Sequence, residues 1–104
     1  MIRHIVLIRF RPEITEATIA GIFADLHRIK SVLPGVLAIT AGRSESPEQM
    51  ERGYLHGFVV DFTDWAALAA YQAHPDHQRV GAALVANASG GIDGILVLDL
   101  AVPA

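Results

Sequence analysis

The sequence predicts a single α+β domain over residues 1–104, in which helices cover one face of a four-stranded antiparallel sheet. Two observations support this fold class. Segments with a hydrophobic period of two alternate with segments of period about 3.6, in the order β-α-β-β-α-α-β. Two strand–helix–strand halves with right-handed crossovers account for that order, and a chain of 104 residues can bury one core of this size.

The first strand is predicted over residues 2–10, where apolar side chains occupy both faces. Alternation places Ile5 and Leu7 on one face. The other face carries His4, Val6, Ile8 and Phe10. A strand that is apolar on both faces is covered on both sides.

The first helix is predicted to begin at the N-cap Thr15 and to end at Pro34-Gly35. Its apolar residues recur at steps of three and four, which gives one stripe facing the sheet. The members of the stripe are Ile19, Ile22, Phe23, Leu26, Ile29 and Leu33.

The second and third strands are predicted over residues 36–41 and 54–62, with a polar connection between them. The third strand directs Tyr54, His56, Phe58, Val60 and Phe62 to one face. Its other face carries Leu55, Val59 and Asp61.

Pro75 divides the next helical segment into two helices, because proline cannot continue the first of them. Thr63 or Asp64 is the expected cap of the first helix, and His74 of the second. The expected core residues here are Trp65, Leu68, Tyr71, Val80, Leu84 and Val85. After a turn at residues 87–91, the last strand is predicted over residues 92–100, with Asp93 and Asp99 facing solvent.

The sheet face away from the helices has no cover in one chain. Hydrophobic residues make up 52% of the sequence and charged residues 18%, so we expect a homodimer packed through that face. The residues expected there are His4, Val6, Ile8, Phe10, Tyr54, His56, Phe58 and Val60. An aspartate at Val6 or Val60 is then expected to abolish association.

Charge and composition exclude several partners and chemistries. The net charge is -3 and no basic run is present, so neither nucleic acid nor an anionic membrane is an expected partner. The absence of cysteine excludes a disulfide framework and a thiol nucleophile. The apolar N-terminal run is too short to span a membrane and lacks a cleavage site, so the expected location is the cytoplasm.

Three segments resemble the stress-responsive dimeric α/β-barrel (Dabb) family. They are H-I-V-L-I-R-F at residues 4–10, Y-L-H-G-F-V-V-D-F at 54–62, and L-A-A-Y-Q-A-H-P-D-H-Q-R-V at 68–80. The resemblance implies ferredoxin-like subunits that form a dimeric α+β barrel, in agreement with the order of elements above. By analogy with a plant polyketide cyclase of this family, His77 would be the general base of a cofactor-independent aldol condensation. Tyr71 would bind the carbonyl oxygen.

The candidate site therefore combines a catalytic pair with substrate-binding residues, and no metal or other cofactor is expected. A neutral imidazole can accept a proton alpha to a carbonyl, and a phenol can hydrogen-bond the enolate. The bend at Pro75 could direct both groups into a solvent-open cavity between sheet and helices. The catalytic residues are His77 and Tyr71, and the substrate-binding residues are His4, His56, Phe58 and His74.

Other interpretations of these residues stay open. Tyr71 and His77 could bond to each other and hold the bend, and His74 could serve only as a cap. Antiparallel pairing of the two strands would put His4 and His56 at opposite ends of the sheet, whereas a metal site would need both beside His77.

The function expected from these residues is that of a lyase or cyclase acting on a small β-keto or polyketide-like compound. Oxygen chemistry stays open by fold analogy with a related barrel family of cofactor-free monooxygenases. The alternative is a non-catalytic protein, which either binds a small hydrophobic ligand or is a structural dimer of the stress response.

Overall fold

The computed structural model describes residues 1–103 and confirms the predicted order of strands and helices. The elements are β1 (Ile2–Ile8), α1 (Glu16–Arg28), β2 (Val36–Arg43), β3 (His56–Phe62), α2 (Trp65–Ala73), α3 (Pro75–Asn87) and β4 (Ile95–Ala101). Two short 3-10 helices, Ile29–Ser31 and Gly91–Gly94, follow α1 and precede β4. None of the helices in the described residues is long and apolar enough to cross a membrane.

The sheet of residues 1–103 has four antiparallel strands in the order β2-β3-β1-β4, so β1 and β3 form the central pair. In their register His4 lies opposite Val60, and His56 lies opposite Ile8. On the other side of β1, Asp99 of β4 lies opposite His4. The register places the two strand histidines at opposite ends of the sheet, as antiparallel pairing predicts.

The helices cover the face formed by alternate residues of the two central strands. These residues are Ile2, His4, Val6, Ile8, His56, Phe58, Val60 and Phe62, and all are buried. The prediction that His4, Val6, Ile8, Phe10, His56, Phe58 and Val60 lie on the uncovered face is therefore wrong. Alternation fixes which residues share a face and leaves open which face meets the helices.

The uncovered face is apolar as well. It carries Ile5 and Leu7 of β1, Val59 of β3, and Leu96, Leu98 and Leu100 of the edge strand β4. The three β4 leucines are each about half exposed. Val6 and Val60 belong to the core instead, so an aspartate at either position would disrupt the fold. The prediction that these two residues lie at the dimer interface is therefore wrong.

Side-chain caps begin the three α-helices as the sequence predicts. Thr15 Oγ1 accepts a hydrogen bond from the backbone N–H of Thr18 at 3.1 Å, and Asp64 caps α2. At the bend, His74 Nδ1 accepts from the backbone N–H of Asp76 at 3.1 Å, with Pro75 as the first residue of α3. The bend is thus held by a proline and a cap together.

Two predictions of burial are wrong, and the strand boundaries differ from the predicted ones by two or three residues. Trp65 is 56% exposed and Val85 is 37% exposed, although both were expected in the core. Trp65 is the first residue of α2. The last strand begins at Ile95 and not at residue 92, because the preceding residues form a 3-10 turn.

Candidate active site

Aromatic rings from four elements meet beneath the α2–α3 bend. The ring centroid of Tyr71, near the end of α2, lies 4.3 Å from that of His77 in the first turn of α3. It also lies 5.7 Å from the ring of His4 on β1 and 5.0 Å from the ring of Phe62 on β3. We call these four residues the Tyr71–His77 cluster. The structure therefore brings together both residues that the sequence proposes for catalysis.

The Tyr71 hydroxyl is the unsatisfied polar group of this cluster. The side chain is fully buried, and the hydroxyl has no hydrogen-bond partner among residues 1–103. Buried hydroxyl groups are nearly always hydrogen-bonded, so an orphaned one indicates a site that lacks its partner. Burial also raises the pKa of Tyr71, so the phenol stays protonated and can donate to an oxygen acceptor.

His77 presents the complementary group. Its Nδ1–H donates to the carbonyl oxygen of Gln72 at 3.2 Å, which leaves Nε2 unprotonated in the neutral ring. Burial is the main cause that lowers the pKa of His77 below 6.5, and the nearby His4 also lowers it. The bond to Gln72 opposes both effects. At neutral pH the ring is therefore uncharged and can accept a proton at Nε2.

His4 is oriented by an acidic residue that the sequence analysis assigned to solvent. Its buried ring donates Nδ1–H to Asp99 Oδ1 at 2.6 Å, and the Asp99 side chain is 26% exposed. Asp99 is exposed on the edge strand β4, as predicted, but the β1–β4 register also places its carboxylate on the helix side beside His4, a contact that was not predicted. A charged residue within the apolar run I-L-V-L-D-L was the available signal.

The edge strand β4, which carries Asp99, is exposed on the helix side of the sheet. Val97 lies opposite the buried Val6 and so faces the helix side, yet it is 52% exposed because the helices leave this edge strand uncovered. Asp99 lies on the same row. The Tyr71 hydroxyl itself is inaccessible, so the predicted opening of a cavity to solvent at this group is wrong for this conformation. A ligand that reaches it must displace packed side chains.

Two further predicted residues adjoin the cluster. Phe58 is buried, with its ring centroid 6.4 Å from that of His4 and 6.1 Å from that of Phe23 on α1. It forms an apolar wall. His74 already uses Nδ1 in the cap of α3, which leaves only Nε2 for any ligand.

His56 does not join the cluster. Its Nε2–H donates to the Glu16 carboxylate, with both oxygens at 3.0 Å, and the ring of Phe10 packs edge-on against it. The alternative of a metal site through His4, His56 and His77 is therefore wrong. Among the residues that the structure describes, no three His, Asp or Glu side chains lie close enough together to hold a metal ion.

Two concave surfaces formed by the described residues lie away from the cluster. A groove of about 280 Å³ runs between α1 and α3, and a shallow depression of about 370 Å³ lies on the uncovered face of the sheet. The depression lies over Gly42 and Gly57, which pair across β2 and β3 and present no side chains. Neither surface includes Tyr71 or His77.

The topology and the cluster define a ferredoxin-like α+β protein with a buried tyrosine–histidine pair beneath a helix bend. Residues 2–102 match the family described as Stress responsive A/B Barrel Domain (Dabb). The chain belongs to that family.

Comparisons with individual proteins are consistent with this family. Olivetolic acid cyclase of Cannabis sativa is 26% identical over 80 residues, which cover 77% of this chain and 79% of the cyclase. A dimeric ferredoxin-like protein of unknown function from Jannaschia sp. CCS1 is 40% identical, with a TM-score of 0.91 over 97% of this chain and 98% of that one. Hydroxynitrile lyase from Passiflora edulis shares the fold, with a TM-score of 0.84 at 20% identity over 98% of this chain and 93% of its own.

Proposed function

We propose that this protein is a cofactor-independent lyase or cyclase that removes a proton alpha to a carbonyl group of a small β-keto or polyketide-like compound. The proposal depends on one observation: the ring of Tyr71 contacts the ring of the neutral His77. The protonated hydroxyl group of Tyr71 has no hydrogen-bond partner within residues 1–103. Olivetolic acid cyclase, by its name a cyclase, belongs among the relatives of this chain.

The proposed reaction uses one base and one hydrogen-bond donor. Nε2 of His77 takes the α-proton, the electron pair of the C–H bond forms the C=C bond of an enolate, and the π electrons of the carbonyl group move onto its oxygen. The Tyr71 O–H donates to that oxygen, where the negative charge develops. The enolate carbon then attacks a second carbonyl of the same molecule, and the His77 imidazolium returns its proton to the new alkoxide.

Neighbouring residues position these two groups. His4 is held by Asp99 through Nδ1, which leaves its Nε2 for a polar contact with the ligand. Phe58 supplies an apolar wall that excludes water, which strengthens the hydrogen bond to the developing charge. His74 fixes the first turn of α3 and so fixes the direction of His77. His56 lies outside the cluster and takes no part in this proposal.

The test is proton exchange, which needs no knowledge of the natural substrate. Acetophenone is incubated with the protein in D₂O near neutral pH, and loss of its methyl signal is followed by proton NMR. We expect exchange above the buffer rate that falls at least 100-fold in His77→Asn, since general-base catalysis typically contributes on the order of 10²–10⁴. The matched control is His56→Asn, which removes a histidine outside the cluster and should retain the rate.

Wild-type protein that exchanges acetophenone no faster than buffer would contradict the proposal. Retained exchange in His77→Asn would contradict the assignment of the base. If the wild-type protein shows no exchange, the closed packing around Tyr71 favours a second candidate function, that of a non-catalytic structural dimer of the stress response.

We also propose that the chain forms a homodimer through the uncovered face of its sheet. The single chain exposes 6120 Å², against about 5,700 Å² for a typical folded monomer of this mass. The half-exposed row Leu96, Leu98 and Leu100 is the main apolar surface on that face. The Jannaschia relative, at 40% identity, is described as dimeric.

A further inference from the structure

The uncovered face of the sheet carries large side chains along one edge and small ones along the other. On this face the edge strand β4 presents three half-exposed leucines, Leu96, Leu98 and Leu100. The edge strand β2 presents only small residues on the same face, Ala38, Thr40 and Gly42. The face is therefore raised along β4 and lowered along β2.

The register aligns these residues in rows that cross all four strands. From β4 to β2, the first row consists of Leu96, Leu7, Gly57 and Gly42. The second row consists of Leu98, Ile5, Val59 and Thr40, and the third of Leu100, Arg3, Asp61 and Ala38. Each row thus begins with a leucine and ends with a smaller residue.

The depression of about 370 Å³ lies at the low end of the first row. A Cβ atom at Gly42 would meet no atom of the described residues within 4 Å, so the space above this residue is open. A Cβ atom at Gly57 would lie 2.9 Å from Leu7 Cδ2, so the space there is already occupied by Leu7. The opening over Gly42 therefore has room for an apolar side chain from outside the chain.

The rows are complementary to themselves when their direction is reversed. A twofold axis that runs along the strands, between β1 and β3, would place β4 of one subunit over β2 of the other and β1 over β3. Leucines would then face small residues in all three rows. An axis perpendicular to the strands would instead place β4 over β4 and β2 over β2, which would leave the depression over Gly42 empty, and close-packed interfaces seldom leave such voids.

The charges of the third row favour the same axis. Arg3 Nε and Nη2 donate to the Asp61 carboxylate at 2.9 and 3.2 Å. Exchange of β1 and β3 would place each Arg3 over the partner subunit's Asp61, so that opposite charges meet across the interface.

We infer that the two subunits are related by a twofold axis along the strands between β1 and β3, so that Leu96 of each subunit fills the depression over Gly42 of the other. Such an interface is isologous, and the contact occurs twice in each dimer. The inference rests on the homodimer proposed above, and it adds the orientation of the subunits and the residues that meet.

The test fills the depression from within the chain. Gly42→Leu should fold, because Gly42 lies in a strand without positive φ and its Cβ position is open. We expect its dimer dissociation constant, measured by sedimentation equilibrium, to rise at least about 30-fold, since the overpacking occurs twice. The matched control is Gly21→Leu, the same change at an exposed, open position of α1, which should leave the constant unchanged.

A double-mutant cycle tests the contact between the two residues. Leu96→Ala should raise the dissociation constant at least about tenfold, because it leaves the depression unfilled. In Gly42→Leu/Leu96→Ala the added side chain occupies the space that the truncated one vacates. We expect this double variant to associate at least about tenfold more tightly than Gly42→Leu alone, since residues in contact are energetically coupled.

Wild-type protein that sediments as a monomer would overturn both the homodimer and this inference. A dimer that Gly42→Leu or Leu96→Ala leaves unchanged would overturn the inference alone. A double variant that associates no more tightly than Gly42→Leu would do the same and leave the homodimer standing.

Discussion

Burial acts in opposite directions on the two central side chains of the cluster and leaves both uncharged. It raises the pKa of Tyr71, an acid that would become an anion, and lowers the pKa of His77, a base that would become a cation. The result is a donor and an acceptor side by side at neutral pH. That combination suits transfer of a proton from carbon, in which charge develops only during the reaction.

Removal of the Tyr71 hydroxyl group should change the stability and the exchange rate in opposite directions. In Tyr71→Phe the unsatisfied buried hydroxyl is lost while the ring and its packing remain. We expect the free energy of unfolding to rise by about 1 kcal/mol, because an unmade buried hydrogen bond is destabilising. The exchange rate of acetophenone should fall at least about tenfold, since the enolate loses its donor. Urea denaturation and proton NMR measure the two effects.

A clear loss of stability in Tyr71→Phe would contradict this account, since it would mean that the hydroxyl is already satisfied in the folded state.

His77 should make stability dependent on pH. Its pKa lies below 6.5 in the folded protein, so between that pKa and 6.5 the unfolded chain binds more protons at this position. Its contribution to stability is therefore complete above about pH 6.5 and is lost as the pH falls toward the folded pKa. We expect urea midpoints to decline between pH 7 and pH 5, and to decline less steeply in His77→Asn. Equal slopes in both proteins would refute this.

At the scale of elements, the α2–α3 bend connects a local capping interaction to the geometry of the site. Pro75 ends α2 and begins α3, and the side chain of His74 caps the new helix. Tyr71 and His77 lie on either side of this bend. Their contact therefore depends on the angle between two short helices, which the cap helps to hold.

Changes at His74 should distinguish a capping role from substrate contact. His74→Ala removes the side-chain acceptor, and we expect it to destabilise the fold by about 1 kcal/mol. His74→Asn restores a good cap and should recover most of the stability and of the exchange rate. Thermal denaturation and the acetophenone assay measure both. Full stability with lost exchange in His74→Asn would instead show that the imidazole contacts the ligand.

Hydrophobic periodicity predicted the strands and helices well. It failed to identify which face of the sheet the helices cover. Each central strand was divided into the correct two faces, but both faces are apolar, so alternation could not identify which one the helices cover. The ion pair between Arg3 and Asp61 marks the uncovered face. It is recognisable only once the register pairs those two residues.

The candidate site was predictable in part. Tyr71 and His77 come together because a proline bend links them in sequence, a local feature that one chain reveals. The contact of Asp99 with His4 was missed because it depends on the register of two strands, and the two residues are 95 positions apart in the sequence. The closed state of the cluster depends on packing, which no spacing of residues in the sequence specifies.

At the scale of the whole molecule, the proposed homodimer depends on the uncovered face of the sheet. Leu98 lies on that face, whereas its neighbour Val97 lies on the helix side of the same edge strand, and the two are similarly exposed. Leu98→Asp should raise the dissociation constant of the homodimer at least about 100-fold by burying an unpaired charge. Val97→Asp should leave it unchanged. Sedimentation equilibrium measures both, and equal effects of the two changes would refute the interface.

The central claim is that His77 presents an unprotonated Nε2 beside Tyr71 at neutral pH. Nitrogen-15 NMR of the histidine side chains, recorded across a pH titration, tests it most directly. The structure predicts that the neutral His77 ring carries its proton on Nδ1, bonded to Gln72, and that its pKa is below 6.5. A proton on Nε2, or a pKa at or above 6.5, would contradict the claim.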